Sequence, residues 1–174
     1  MKDFNLVIST SRGNERNACS EAWYLLREAG DPNAKVEATG VIGLLVSRTV
    51  LDPVKAVNDL RSNLVEKPWE FRYVLKVTPV QAVTESKLES IEAKAVELSR
   101  LIGEDESYRI TVEKRRTKLR STELIDIIAP KLDRKVRLEN PDRVLLIEVI
   151  GNLTGISVIK PNDVLSVERE KRNL

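Results

Sequence analysis

The sequence predicts an α+β chain of two domains, and three observations carry that expectation. Strand-length apolar runs such as Val41 to Val46 and Val144 to Ile147 alternate with helical stripes of apolar residues three and four apart. The first half reads strand–helix–strand–strand–helix–strand and ends at Thr78-Pro79, after which a new long helical stripe opens. At 174 residues, 41% hydrophobic and 32% charged, the chain is long and apolar enough for two small cores. The expected domains are residues 1–78 and 79–174.

Phe4 to Ser9 reads as the first strand, centred on Leu6, Val7 and Ile8. Asn14 can cap a helix whose apolar positions Ala18, Ala22, Leu25, Leu26 and Ala29 keep helical spacing, and Gly30 ends it. Trp23 is expected to pack this helix, and Cys19 to be a small buried residue on it. Lys35 to Ala38 and Val41 to Ser47 form a hairpin around Thr39-Gly40. Asp52-Pro53 starts the second helix, with an N-cap carboxylate followed by proline at the first helical position. Val54, Val57, Leu60 and Leu64 form its stripe, Lys67-Pro68 closes it, and Phe71 to Val77 is the fourth strand. This order is the ferredoxin-like split βαβ arrangement.

Beyond Pro79 the spacing of Leu88, Ile91, Ala95, Leu98 and Ile102 predicts one helix over Glu85 to Ile102. Ser86 and Glu89 have capping-box spacing, and Gly103 is a natural stop. Tyr108 to Lys114 alternates as a strand, with Tyr108 in the core. A helix capped by Ser121 or Thr122 buries Leu124, Ile127, Ile128 and Leu132. Lys135 to Leu138 is a short extended piece before the turn Asn140-Pro141-Asp142. Arg143 to Val149 and Thr154 to Ile159 are two further strands joined around Gly151 and Gly155.

The residue inventory argues against familiar catalysis. Histidine is absent, and the single cysteine, Cys19, cannot build a disulfide or a cysteine zinc site within one chain. The glycines form no dinucleotide fingerprint, and neither a phosphate loop nor a nucleophile turn is present. No cofactor and no metal are expected. No apolar run reaches membrane-spanning length and the N-terminus lacks a signal-peptide pattern, so the expected location is cytoplasmic with no membrane partner.

One segment stands apart. Arg109, Lys114, Arg115, Arg116, Lys118 and Arg120 are opposed within their span only by Glu113. Cations at a strand end and in the loop before a helix can meet phosphate together with the helix's free N–H groups. They can equally be a solvated edge that blocks strand addition. Aromatic residues, at 4%, are too few for a stacking platform, so backbone and shape recognition of structured RNA fits better than base stacking.

In order, Tyr108 to Arg116, Ser121 to Ile125, Lys135 to Asp142, Val144 to Gly151 and Thr154 to Ile159 resemble a THUMP domain. The resemblance covers roughly residues 79 to 170, and the Asn-Pro-Asp turn is its most specific part. The family has two helices where the spacing here shows one, and Arg137 stands where an acidic residue is frequent. THUMP domains serve tRNA-modifying systems, commonly after a ferredoxin-like domain. The resemblance implies binding of the tRNA acceptor end through Lys114, Arg115, Arg116, Lys118 and Arg120, with Lys131, Lys160 and Asn162 as weaker candidates from adjacent loops. Because the chain ends about where THUMP ends, it resembles the THUMP-only branch, which includes the tRNA acetylation adaptor. That implies an adaptor rather than an enzyme, partnered by a separate acetyltransferase that holds acetyl-CoA. An RNA-binding subunit of a split thiolation or methylation enzyme is the alternative. A structural module whose basic strand binds an acidic protein is the third.

Overall fold

The computed structural model describes residues 1–174. Its first elements follow the sequence pattern: β1 (Leu6–Ser9), α1 (Glu15–Glu28), β2 (Lys35–Ala38), β3 (Leu44–Arg48), α2 (Pro53–Glu66) and β4 (Lys76–Pro79). After them come β5 (Ala82–Glu85), α3 (Leu88–Leu98), β6 (Ser107–Arg115), α4 (Ser121–Ile128), β7 (Lys135–Val136), β8 (Arg143–Ile150) and β9 (Leu153–Ile159). The C-terminus adds β10 (Leu165–Ser166) and α5 (Val167–Arg172). The chain is α+β, with two separate five-stranded sheets.

The first sheet has the order β10-β4-β1-β3-β2 and is antiparallel throughout, so residues 1–80 carry the ferredoxin-like arrangement. Leu6, Ile8, Leu45 and Val77 pack against Ala18, Ala22, Leu25 and Leu26 of α1 and Val57, Leu60 and Leu64 of α2. Asp52 caps α2 as its sequence demands, its carboxylate accepting the Lys55 N–H at 3.0 Å, a contact worth about 1 kcal/mol. Asn14 makes no side-chain cap on α1; the Glu15 carboxylate instead accepts the Gly43 N–H at 3.0 Å. Trp23, expected to pack, is 42% exposed with the Arg27 guanidinium over its ring, because Ala22 and Leu26 already fill the helix's inner face. Cys19 is only half-buried.

The fourth strand begins later than its residues suggest. Pro68 to Glu70 form a 3-10 turn, and the Glu21 carboxylate accepts the N–H groups of Arg72, Tyr73 and Val74 at 2.6–2.9 Å. A side chain thus satisfies backbone that would otherwise join the ladder. The second compact unit is Gln81–Pro161, while Asn162–Leu174 return to the first, where β10 pairs with β4 and Leu165 and Val167 enter the core. The expected division at 78/79 therefore falls within β4, and the tail lies outside the second unit.

The second sheet has the order β5-β9-β8-β6-β7, with β6 parallel to β8 and β7 and the other pairs antiparallel. The helix expected from Glu85 is shorter, because Ala82–Glu85 pair with Ile156–Leu153 as an edge strand. Ser86 does not cap α3; its hydroxyl bonds the Thr154 hydroxyl at 2.8 Å. Ile91, Ala95 and Leu98 of α3 and Leu124 and Ile128 of α4 cover the face formed by Tyr108, Leu145, Ile147, Ile156 and Val158. Leu132 is buried as expected, whereas Ile127 is only partly so.

Candidate nucleic-acid interface

The basic segment begins where β6 ends. Tyr108, Ile110 and Val112 face the helices, and Arg109, Thr111, Glu113 and Arg115 face the other way. Glu148 of β8 lies on that second face at 2% exposure, and the Arg115 guanidinium closes on its carboxylate. Arg115 is therefore turned into the fold while its neighbours point out.

At Arg116 the backbone turns into the left-handed region, with φ +54°, and the side chain is exposed. The Gly151 N–H donates to the Arg115 carbonyl at 2.9 Å, which ties this turn to the β8–β9 hairpin. Thr117 accepts the Leu119 N–H at 3.2 Å, so Leu119 turns towards the core while Lys118 stays outside. Lys114 is exposed and reaches only the Leu119 carbonyl, at 3.4 Å. Arg120 stands at the N-cap of α4, 78% exposed, with Glu123 at 3.7 Å. No side chain caps that helix start, so its first N–H groups stay open beside Lys118 and Arg120. The structure thus gathers Lys114, Arg116, Lys118 and Arg120 as outward cations on one short stretch.

The remaining candidates sit differently. Lys131 is ion-paired with Glu92 of α3. Lys160 follows β9 at an exposed position. Asn162 belongs to the first unit, where its carbonyl accepts a hydrogen bond from Arg61 at 2.5 Å.

Two acids that shape the segment's surroundings lie outside the sequence-derived set. Glu148 had a signal, as the one charge in the apolar run Val144 to Ile150. Asp142 holds the other end of β6, accepting the Ser107 N–H at 2.8 Å and its hydroxyl at 3.0 Å. Those hydrogen bonds, the backbone one foremost, hold its carboxyl below the usual range. No cluster of three potential metal ligands is present, and no helix is long and apolar enough to cross a membrane.

Residues 85–159 match the family model of the THUMP domain. An uncharacterized protein of Methanocaldococcus jannaschii, MJ0421, is 27% identical over 172 residues, which is 96% of this chain and 44% of that protein. Among solved structures, PH1313 of Pyrococcus horikoshii has a TM-score of 0.62 at 18% identity over 91% of this chain and 55% of its own. A 4-thiouridine synthetase in complex with RNA and ATP has a TM-score of 0.52 at 16% identity, over 91% of this chain and 42% of its own. The chain spans about half the length, or less, of these relatives. At such identities the structural likeness is one of fold. The matched stretch begins at the last residue of β5 and takes in α3, β6, α4, β7, β8 and β9, a run of helix, strand, helix and three further strands. Residues 85–159 of this chain are a THUMP domain.

Proposed function

We propose that this chain binds tRNA and presents it to a modifying centre, which in the leading reading is a separate cytidine acetyltransferase. The observation that supports RNA binding most is the set of exposed cations Lys114, Arg116, Lys118 and Arg120 on the THUMP domain, beside the uncapped start of α4. Phosphate is drawn both by such cations and by open N–H groups at a helix's positive end. Each phosphate neutralised releases counterions, so a few contacts dominate affinity. In this reading Arg115 holds the turn through Glu148 rather than touching RNA, and Lys160 is a further contact. Acetylation itself is carried by the resemblance to the tRNA acetylation adaptor family.

A thiolation system is the second reading, favoured by the likeness to a 4-thiouridine synthetase solved with RNA. Both readings give this chain the RNA and leave the chemistry to other residues. Five phosphate contacts, Lys160 included, correspond to a slope of log affinity against log salt of about −3.5 to −4.5. The triple substitution Lys114→Ala, Arg116→Ala, Lys118→Ala should cut that slope to roughly two fifths, since Arg120 and Lys160 remain. Unchanged tRNA binding in filter assays would refute the interface. Mass spectrometry of tRNA nucleosides from a deletion strain separates the readings by whether acetylcytidine or thiouridine disappears.

A further inference from the structure

Strand β2 ends the first sheet: β3 pairs with one side of it, and no strand pairs with the other. Its hydrogen-bonding phase is set by two contacts. The Thr39 N–H donates to the Leu44 carbonyl at 3.2 Å, and the Ser47 hydroxyl donates to the Lys35 carbonyl at 2.7 Å. Alternation along an antiparallel strand then turns residues 35, 37 and 39 towards β3 and leaves the N–H and C=O groups of Val36 and Ala38 on the open edge.

Beside this edge runs a groove of about 460 Å³ between β2 and α1, lined by Cys19, Ser20, Trp23, Tyr24 and Val36. Trp23 and Tyr24 are 42% and 39% exposed, and exposed aromatic side chains at a groove are typical anchors for a partner. Both are held in place. Arg27 lies 5.7 Å from the Trp23 ring centroid, and the Tyr24 hydroxyl donates to Glu70 at 3.1 Å. Arg27 covers one face of the indole, which leaves less of the ring for a stacked base than for an aliphatic contact.

The charge on the edge is one-sided. Lys35 lies directly opposite Arg48, which has its own ion-pair partner in Asp3 at 3.7 Å, and Lys35 has no ion-pair partner. Glu37 is already engaged by the N-terminal amino group at 3.0 Å. An acid on an incoming strand opposite Lys35 would therefore be favoured, and its neighbour opposite Val36 would point into the groove.

We propose that the β2 edge and the β2–α1 groove receive an extended segment of a partner protein. The segment adds antiparallel as a sixth strand, with an apolar side chain against Trp23 and the next residue, an acid, opposite Lys35. This is strand addition with a side-chain pocket, in which main-chain bonds supply affinity and the groove supplies selectivity.

The test pans displayed random short peptides against the full chain and measures the enriched peptide in solution. Binders should share an apolar residue followed by an acidic one. Trp23→Ala should weaken them about tenfold or more, and Lys35→Glu should remove the preference for the acid. Ala38→Pro deletes a donor from the open edge only and should block binding. Should that variant melt, the two surface substitutions carry the test alone. Cys19, the chain's one thiol, should alkylate several-fold more slowly when the peptide is bound. The proposal is overturned if no peptide is enriched, or if binders ignore Trp23→Ala and Lys35→Glu. It also falls if Trp23→Ala lowers tRNA affinity, which would make the groove a base site. Dimerisation abolished by Ala38→Pro would instead assign the edge to a second copy.

Discussion

Within the basic segment, neighbouring arginines are set apart by what each one faces. Arg115 is the ionic partner of a carboxylate that is 2% exposed, and removing it would leave Glu148 charged and buried. Breaking fully buried pairs costs about 3–5 kcal/mol; Arg115 is itself partly exposed, so about 2–3 kcal/mol is expected for Arg115→Ala. The double variant Arg115→Ala, Glu148→Gln should recover most of that loss in urea unfolding. Arg116 behaves oppositely. A non-glycine residue at φ +54° carries about 1–2 kcal/mol of strain, and glycine there loses part of the gain through a freer unfolded chain. Arg116→Gly should therefore raise stability by about 0.5–1 kcal/mol while tRNA affinity falls. Unfolding midpoints and tRNA titrations of the two variants should move in opposite order: Arg115→Ala changes stability first, Arg116→Gly affinity first.

At the scale of elements, the start of β6 is held by Asp142 after the left-handed turn at Asn140. The Asp142 carboxyl is lowered by hydrogen bonds that only the fold provides. A lowered carboxyl stabilises the fold above the ordinary carboxylate range, and that contribution is lost as pH falls through its folded value. Acidification should thus lower the protection factor of the Ser107 amide before the sheet core opens, and Asp142→Asn should flatten that pH dependence. The Asn-Pro-Asp turn was legible in sequence because its residue types demand a turn. So was α2, whose start is written in Asp52-Pro53, and so were the long apolar strands β8 and β9. Strand β5 was not. Ala82–Glu85 is too short to show a period of two, and its partner β9 lies far downstream. The late start of β4 depends on Glu21, a helix residue about fifty positions earlier, which local pattern cannot supply. The candidate interface divides in the same way. Its charge could be counted along the chain, but the inward turn of Arg115 depends on Glu148, thirty-three positions away.

For the molecule as a whole, a net charge of +2 gives little long-range pull on a polyanion, so any salt dependence reports the local cations. The path of the chain matters more. Asn162–Leu174 follow the THUMP domain in sequence yet complete the first unit. Leu165 and Val167 are 0% and 2% exposed in its core, and the Val167 N–H donates to the Leu75 carbonyl at 2.9 Å. Arg61 of α2 clamps the segment through the carbonyls of Asn162 and Val164 and the Glu170 carboxylate. A chain ended at Pro161, a natural choice from the extent of the THUMP match, loses two core side chains worth about 1.5–3 kcal/mol each, together with the β10 edge. That is a large share of the stability of a small domain. The THUMP core draws no residue from the tail, since its cluster runs from Ala82 to Val158. Amide exchange of the truncated chain should therefore show lost protection at Leu6, Ile8 and Val77 and retained protection at Ile147 and Ile156. Uniform protection across both units would mean that β10 and α5 contribute no stability to the first core. Leu165→Ala in the untruncated chain should reproduce the same pattern at about 2–5 kcal/mol, tying the effect to the buried side chain rather than to chain length.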